Sequence, residues 1–260
     1  MNVKKLLIGC IIASMSIMPM ASIYANEGTP LMNKARITLS VVNKSDAEIE
    51  KEYNNKVIEA YKKYLNITLP SKAKFSVSIM DEAHLNKEEA KWTEQLKNEY
   101  KNKKMTEQKY KQQLEKIKKE YDGWRAKIKK LDYTYVECQY ITTYEKPNSL
   151  YLIKFDKNTG EVISILAPMS DKGWAIQTSK TKPTISKEVD EKIDAVVNEY
   201  MRKHHIGGIQ KPKIIDKSAT RNMIYVQEAS DVTKLAMIEM DCTTHTVIGF
   251  ETKGVKEMLQ

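Results

Sequence analysis

Two stretches of this chain share one pattern, and that repetition constrains the fold more than any other feature. Tyr151–Ser164 alternates apolar and polar residues, turns through Asp156-Lys157-Asn158-Thr159-Gly160, and resumes at Val162-Ile163. Ala236–Gly249 alternates likewise, turns through Asp241-Cys242-Thr243-Thr244-His245, and resumes at Val247-Ile248. The offset is 85, placing Phe155 on Met240. Period-two alternation marks half-buried strands, and a short polar turn between them marks a hairpin.

Two upstream segments echo each other at helical spacing. Ile49, Tyr53, Val57, Ala60, Tyr61 and Tyr64 recur every three or four residues, as one apolar stripe. Val189, Ile193, Val197, Tyr200, Met201 and His204 repeat that stripe at an offset of 140. Ser45 with Glu48 reads as a capping box opening the first helix, and the second opens near Ser186. Phe75–Met80 follows Pro70 and Ile214-Ile215 follows Pro212, each as a strand; Tyr133–Thr142 and Met223–Glu228 read as middle strands. Each copy therefore reads helix, strand, strand, strand. The expected fold is α+β: two tandem helix-plus-antiparallel-sheet units, 26–170 and 171–260, each sheet packing its one helix on one face.

The two offsets differ by 55 residues, so the first copy has that much extra chain between helix and hairpin. Leu85–Leu131 supplies most of it. Tyr110, Leu114, Ile117, Tyr121, Trp124, Ile128 and Leu131 follow a 4-3-4-3-4-3 spacing, which is a coiled-coil seam. Leu85, Trp92, Leu96 and Tyr100 form a shorter stripe, and the polar run Lys101–Thr106 suits the turn between two antiparallel helices. Gly123 falls off the seam.

Charge gathers in the same insertion. The chain has 43 basic and 34 acidic residues. Lys4 and Lys5 lie at the N-terminus, residues 87–130 hold 15 basic and 8 acidic, and everything else balances at 26 against 26. An electrostatic partner should meet the protein on this element. Lys101, Lys103 and Lys104 at its tip are the candidate contacts for an anionic surface. The competing reading makes these lysines the solvated outer face of a coiled coil.

Lys4 and Lys5 followed by an apolar run to Ala25 describe a secretory signal peptide spanning 1–25. An uncleaved anchor is the rival, because the run approaches the roughly 20 residues that span a bilayer. Leu7-Ile8-Gly9-Cys10 has the residue types of a lipidation box, but too few apolar residues separate Lys5 from Cys10. The expected location is therefore secreted or cell-envelope associated. The exported chain keeps Cys138 and Cys242, expected in two different sheets; their pairing stays open. A composition rich in Lys, Asn and Ile suits an AT-rich Gram-positive source.

Phe155-Asp156-Lys157-Asn158-Thr159-Gly160-Glu161-Val162-Ile163 resembles the closing hairpin of PepSY domains, and Ile185-Ser186-Lys187-Glu188 resembles their helix opening. The resemblance covers most of the exported chain apart from Leu85–Leu131. It implies a non-enzymatic role: such domains occur in propeptides of secreted metalloproteases and in envelope proteins, where they regulate or inhibit peptidases. It brings no catalytic residues. The second copy departs at His245, which stands where Gly160 stands in the first, so its turn is expected to be built differently.

Other chemistry is thinly represented. His204-His205 has no Cys, His or Asp partner at ligand spacing, and His204 fits the apolar face of its helix. No nucleophile elbow or phosphate loop occurs, and Gly207-Gly208 reads as a helix stop. No cofactor, metal or catalytic residue is expected, and export argues against a nucleic-acid partner. Three function classes follow: a secreted module that binds a peptidase or another envelope protein, an envelope-attached protein using the hairpin on anionic wall or membrane, and, last, an enzyme of unrecognised type.

Overall fold

The computed structural model describes residues 46–71, 73–131, 133–142, 150–181 and 184–259. The expected signal peptide of 1–25, with Cys10, and the expected cap Ser45 lie outside them. Among the described residues the chain is α+β, with six α-helices and eight strands. It divides into two compact units. One holds the sheet with its packed helices; the other comprises residues 78–136 and 156–161.

The sheet unit begins with α1 (Asp46–Ala60), which runs into a π-helical turn at Tyr61–Leu65 and stops at Asn66 in the left-handed conformation. Its counterpart α5 (Lys187–His204) is capped by Ser186, whose side chain accepts from the Val189 amide, and stops at His205, also left-handed. The apolar stripes expected from spacing are the buried faces. Ile49, Val57 and Tyr61 are buried on α1; Ile193, Val197 and Met201 are buried on α5. Asn66 and His205 are offset by 139 rather than 140. The π turn of α1 absorbs that one additional residue. The α5 stop is His205 itself, with Gly207 and Gly208 following in a 3₁₀ turn.

The strands are β1 (Lys74–Met80), β2 (Tyr135–Ile141), β3 (Leu150–Asp156), β4 (Val162–Leu166), β5 (Pro212–Lys217), β6 (Met223–Glu228), β7 (Asp231–Met240) and β8 (Val247–Glu251). They form one sheet in the order β1-β2-β3-β4-β8-β7-β6-β5. Two corrections follow. The closing hairpin contributes two strands to each half, so each has four. The expectation of two sheets fails because β4 pairs antiparallel with β8 and joins them. The seam is centred on Ile165↔Phe250, flanked by Ser164↔Glu251 and Leu166↔Gly249. Gly249 is required there, since a Cβ would lie 2.4 Å from the Ile165 carbonyl oxygen.

Register fixes two neighbouring rows across the strands. Ile153, Ile165, Phe250, Ile238 and Ile224 succeed one another as one apolar row. Helix α1 packs on this face: Tyr53 meets Phe155 with ring centroids 5.6 Å apart, and Tyr64 meets Phe250 at 5.3 Å. The buried Tyr61 hydroxyl lies between the Leu152 and Leu166 carbonyls, at 2.9 and 2.7 Å, bridging the paired ends of β3 and β4. On the other face, Leu152, Leu166, Met169 and Cys242 cluster with Ile176 of α4 (Asp171–Thr178), and Tyr225 and Met237 cluster with Val255 of α6 (Val255–Met258). Sequence patterning anticipated neither of these short helices. Cys138 and Cys242 are both free and buried, the first on β2 and the second in the turn between β7 and β8 of the same sheet.

The second turn, expected to differ, copies the first. Asp156 Oδ1 accepts from the Asn158 and Thr159 amides, and Asp241 Oδ1 accepts from those of Thr243 and Thr244. The Gly160 amide donates to the Asp156 carbonyl at 2.8 Å, and His245 to Asp241 at 3.0 Å. Gly160 has φ 72° and His245 φ 53°. A histidine tolerates the left-handed region at a modest cost, so the Asx-turn chemistry decides the geometry and glycine does not.

Candidate functional site

The charge concentrates in the second unit, on helices α2 (Glu82–Lys101) and α3 (Glu107–Lys130). They run antiparallel and pack on the residues that spacing selected. Leu85, Leu96, Ile117, Tyr121 and Trp124 are buried, and Tyr110 stacks on Tyr100 at 4.8 Å. Helix α2 starts three residues before Leu85 because Asp81 caps it, accepting from the His84 amide at 2.7 Å. The same carboxylate meets His84 Nδ1 at 2.8 Å and the Lys157 ammonium. Burial raises the Asp81 pKa, but the bonds from Lys157 and His84 outweigh it and hold the carboxyl below its usual range. This Asp-His-Lys contact works as a cap and anchor for α2.

Ion pairs tie the helices together at one end. Arg125 Nη1 donates to Glu89 at 2.6 Å and to Asn86 at 3.0 Å, while Nη2 donates to Asp122 at 2.7 Å. At the other end Thr106 caps α3. The α2 terminus closes as a Schellman motif: the Lys104 amide donates to the Glu99 carbonyl at 3.0 Å, with Lys103 left-handed at φ 54°. Lys101, Lys103 and Lys104 are all exposed, and no ion pair among the described residues engages them. The three predicted contact residues thus share one turn.

Sequence reasoning missed a buried polar row in the sheet unit. Lys154, Ser164 and Glu251 succeed one another in register across β3, β4 and β8. Lys154 Nζ lies 4.0 Å from Glu251 Oε2. Glu137 on β2 is 1% exposed; its Oε1 accepts from Gln139 at 2.7 Å, while Oε2 has no hydrogen-bond partner among the described residues. Burial pushes the Glu137 carboxyl up to about 7, with Lys154 opposing and Glu251 reinforcing. Burial and the Glu251 charge push Glu239 on β7 to about 7 as well. Glu251 is also raised by burial. A signal was present in the sequence: Lys154 and Glu239 stand at the offset of 85, each the one charged residue within an otherwise apolar run.

The histidine pair is structural. His204 packs against the Tyr200 and Tyr64 rings at 4.7 and 5.7 Å, and burial lowers its pKa; His205 forms the left-handed helix stop. Among the described residues no group of three His, Cys, Asp or Glu is placed to hold a metal ion, and no helix is long and apolar enough to cross a membrane. No protein-family model matches the chain, and neither a curated protein nor a solved structure matches it.

Proposed function

We propose that this chain is an exported, non-enzymatic binding module of two PepSY-like units, the first carrying α2 and α3 as an insertion, and that it regulates or inhibits a peptidase or another cell-envelope protein. The observation that carries the duplication is the identical wiring of the Asp156 and Asp241 turns. The strand order supports it, since it reads the same inward from either end. So does the seam: Ile165 and Phe250 stand at the offset of 85 and pair with each other, as two copies related by a local two-fold axis must. The edge strands β1 and β5 offer backbone groups to an extended partner segment.

The test is affinity capture from the native envelope with the full chain and with a hairpin-deleted chain. A protein partner retained by both supports this reading. Catalytic turnover abolished by changing one or two polar residues would replace it with the enzyme reading.

A second reading has its own observation. The hairpin helices hold all the excess charge of the exported chain, and their tip lysines are exposed. In this reading the protein is an envelope-attached structural or assembly protein whose hairpin contacts anionic wall or membrane. Binding that disappears with the hairpin supports it against the first.

A further inference from the structure

The acidic residues of the hairpin do not cancel its basic residues evenly. Glu88, Glu94 and Glu107 pair with Lys91, Lys97 and Lys111, while Glu89 and Asp122 both serve Arg125. Lys109, Lys116, Lys118, Lys119, Lys129 and Lys130 of α3 have no ion-pair partner among the described residues, Lys118 and Lys129 projecting on the far side of the seam from the other four; the Lys127 ammonium lies over the Trp124 ring at 5.3 Å. At about 100° per residue, Lys109, Lys116 and Lys127 project within about 20° of one another, with Lys119 and Lys130 about 60–80° to one side. This stripe lies about 120° from the buried seam and is bordered by Glu115 and Glu120. It runs for about 31 Å, at about 1.5 Å per residue.

Gly123 sits inside the stripe. Nothing lies within 4 Å of where its Cβ would be, so no packing contact accounts for it. A mid-helix glycine costs about 1 kcal/mol relative to alanine. Its effect here is to leave bare backbone midway along a row of ammonium groups.

We infer that the outward face of α3 is a docking surface for a linear polyanion of the phosphodiester type, laid along the helix from Lys109 to Lys130. This rests on the anionic-contact reading and moves the contact from the tip to the flank. Charge complementarity selects an anion, and the length of the lysine stripe along the helix selects an extended one. A membrane is disfavoured because interfacial helices add exposed large apolar residues to their basic ones, whereas Ile117, Tyr121 and Trp124 are buried in the seam. The narrow point at Gly123 admits a polymer backbone close to the helix.

The test measures binding of long-chain inorganic polyphosphate to the intact chain at low salt, beside vesicles of phosphatidylglycerol. The flank variant is K116E/K119E/K130E and the tip variant is K101E/K103E/K104E, each with a lysine-to-glutamine version and a check of helix content. The expected result is polyphosphate affinity weakened at least about tenfold by the flank changes, and by less than about twofold at the tip. Gly123→Leu should weaken binding while helix content is kept. Loss confined to the tip variant overturns flank docking but leaves the anionic-contact reading standing. Binding to vesicles and not to polyphosphate overturns the polymer as occupant. No binding to either probe overturns both the inference and the reading beneath it.

Discussion

Lys154 Nζ on β3 and Glu251 Oε2 on β8 stand 4.0 Å apart inside the sheet, with Ser164 of β4 between their backbones in register. Glu137 on β2 and the half-buried Glu239 on β7 interact electrostatically with both, so three carboxyls neighbour one lysine. All three cannot stay ionised in such a place without cost, and protons settle the imbalance.

The row therefore sets a pH dependence. Glu137 and Glu239 rise from 4.5 to about 7 on folding, so the native state holds protons that the unfolded chain releases. Their contribution is complete below the unfolded value and is lost as pH rises through about 7. Glu228 runs the other way: amides of Lys211 and Gln210 hold it down at about 2, so its contribution is lost as pH falls toward that value. Thermal melts should peak near pH ~5 and decline toward pH ~8. Glu137→Gln and Glu239→Gln should each flatten the decline and exceed the native protein at high pH. A native curve that climbs from pH 5 to 8 would sink this account.

Asp241 carries more than its own turn. Oδ1 serves the Thr243 and Thr244 amides, and Oδ2 accepts from the Ser170 amide at 2.6 Å, fixing the start of α4. Asp241→Ala should cost about 2–4 kcal/mol in chemical unfolding, because the Ser170, Thr243 and Thr244 amides and the Thr243 hydroxyl, four donors, lose one acceptor group. Asp241→Asn should recover part of that loss. At Gly173 a Cβ would lie 2.9 Å from Asp241 Oδ2 and 2.7 Å from Met169 Cγ, so Gly173→Ala should be destabilising too.

Tyr61→Phe should lower stability by about 1–2 kcal/mol, since two buried carbonyls lose their shared hydroxyl while the ring packing stays. An unchanged denaturation midpoint would mean water replaces the hydroxyl at no cost.

Lys103 offers a gain in place of a loss. It is held at φ 54° with no glycine to relieve it. Lys103→Gly should stabilise α2 and α3 by about 0.5–1 kcal/mol, read as a higher midpoint of helix loss. A lower midpoint would mean the lysine side chain contributes more than its backbone conformation costs.

Replacing Asn86–Lys130 with a glycine-serine bridge should leave a cooperative thermal transition for the sheet unit. In the intact chain, Ile117→Asp should melt α2 and α3 while the sheet signal persists, since it places a charge at a site 3% exposed. One merged transition lost by both variants would make the helices part of the same cooperative core.

Local periodicity revealed most of the secondary structure. The stripes of α1 and α5 and the seam of α3 are one-dimensional patterns, and each is the buried face of its helix, whereas β3, read from its alternation as half-buried, is buried on both faces from Leu152 to Asp156. The seam joining β4 to β8 has no such trace, because strand pairing between halves depends on edges that sequence does not rank. The buried row was hidden for a related reason. A charged residue in an alternating strand normally marks the solvated face, and only the assembled sheet puts Lys154 beside Glu251. The lysines of the tip were found by composition, whereas the ion pairs that leave the α3 flank uncompensated required coordinates.

The β4–β8 seam also bears on assembly. Cut the chain after β4 and its inner edge is bare; take the later half alone and β8 is bare in the same way. Because Ile165 and Phe250 hold corresponding places, one such half could complete its sheet with a second copy of itself. Two halves on one chain meet at a fixed effective concentration, so closing the sheet does not depend on how concentrated the protein is.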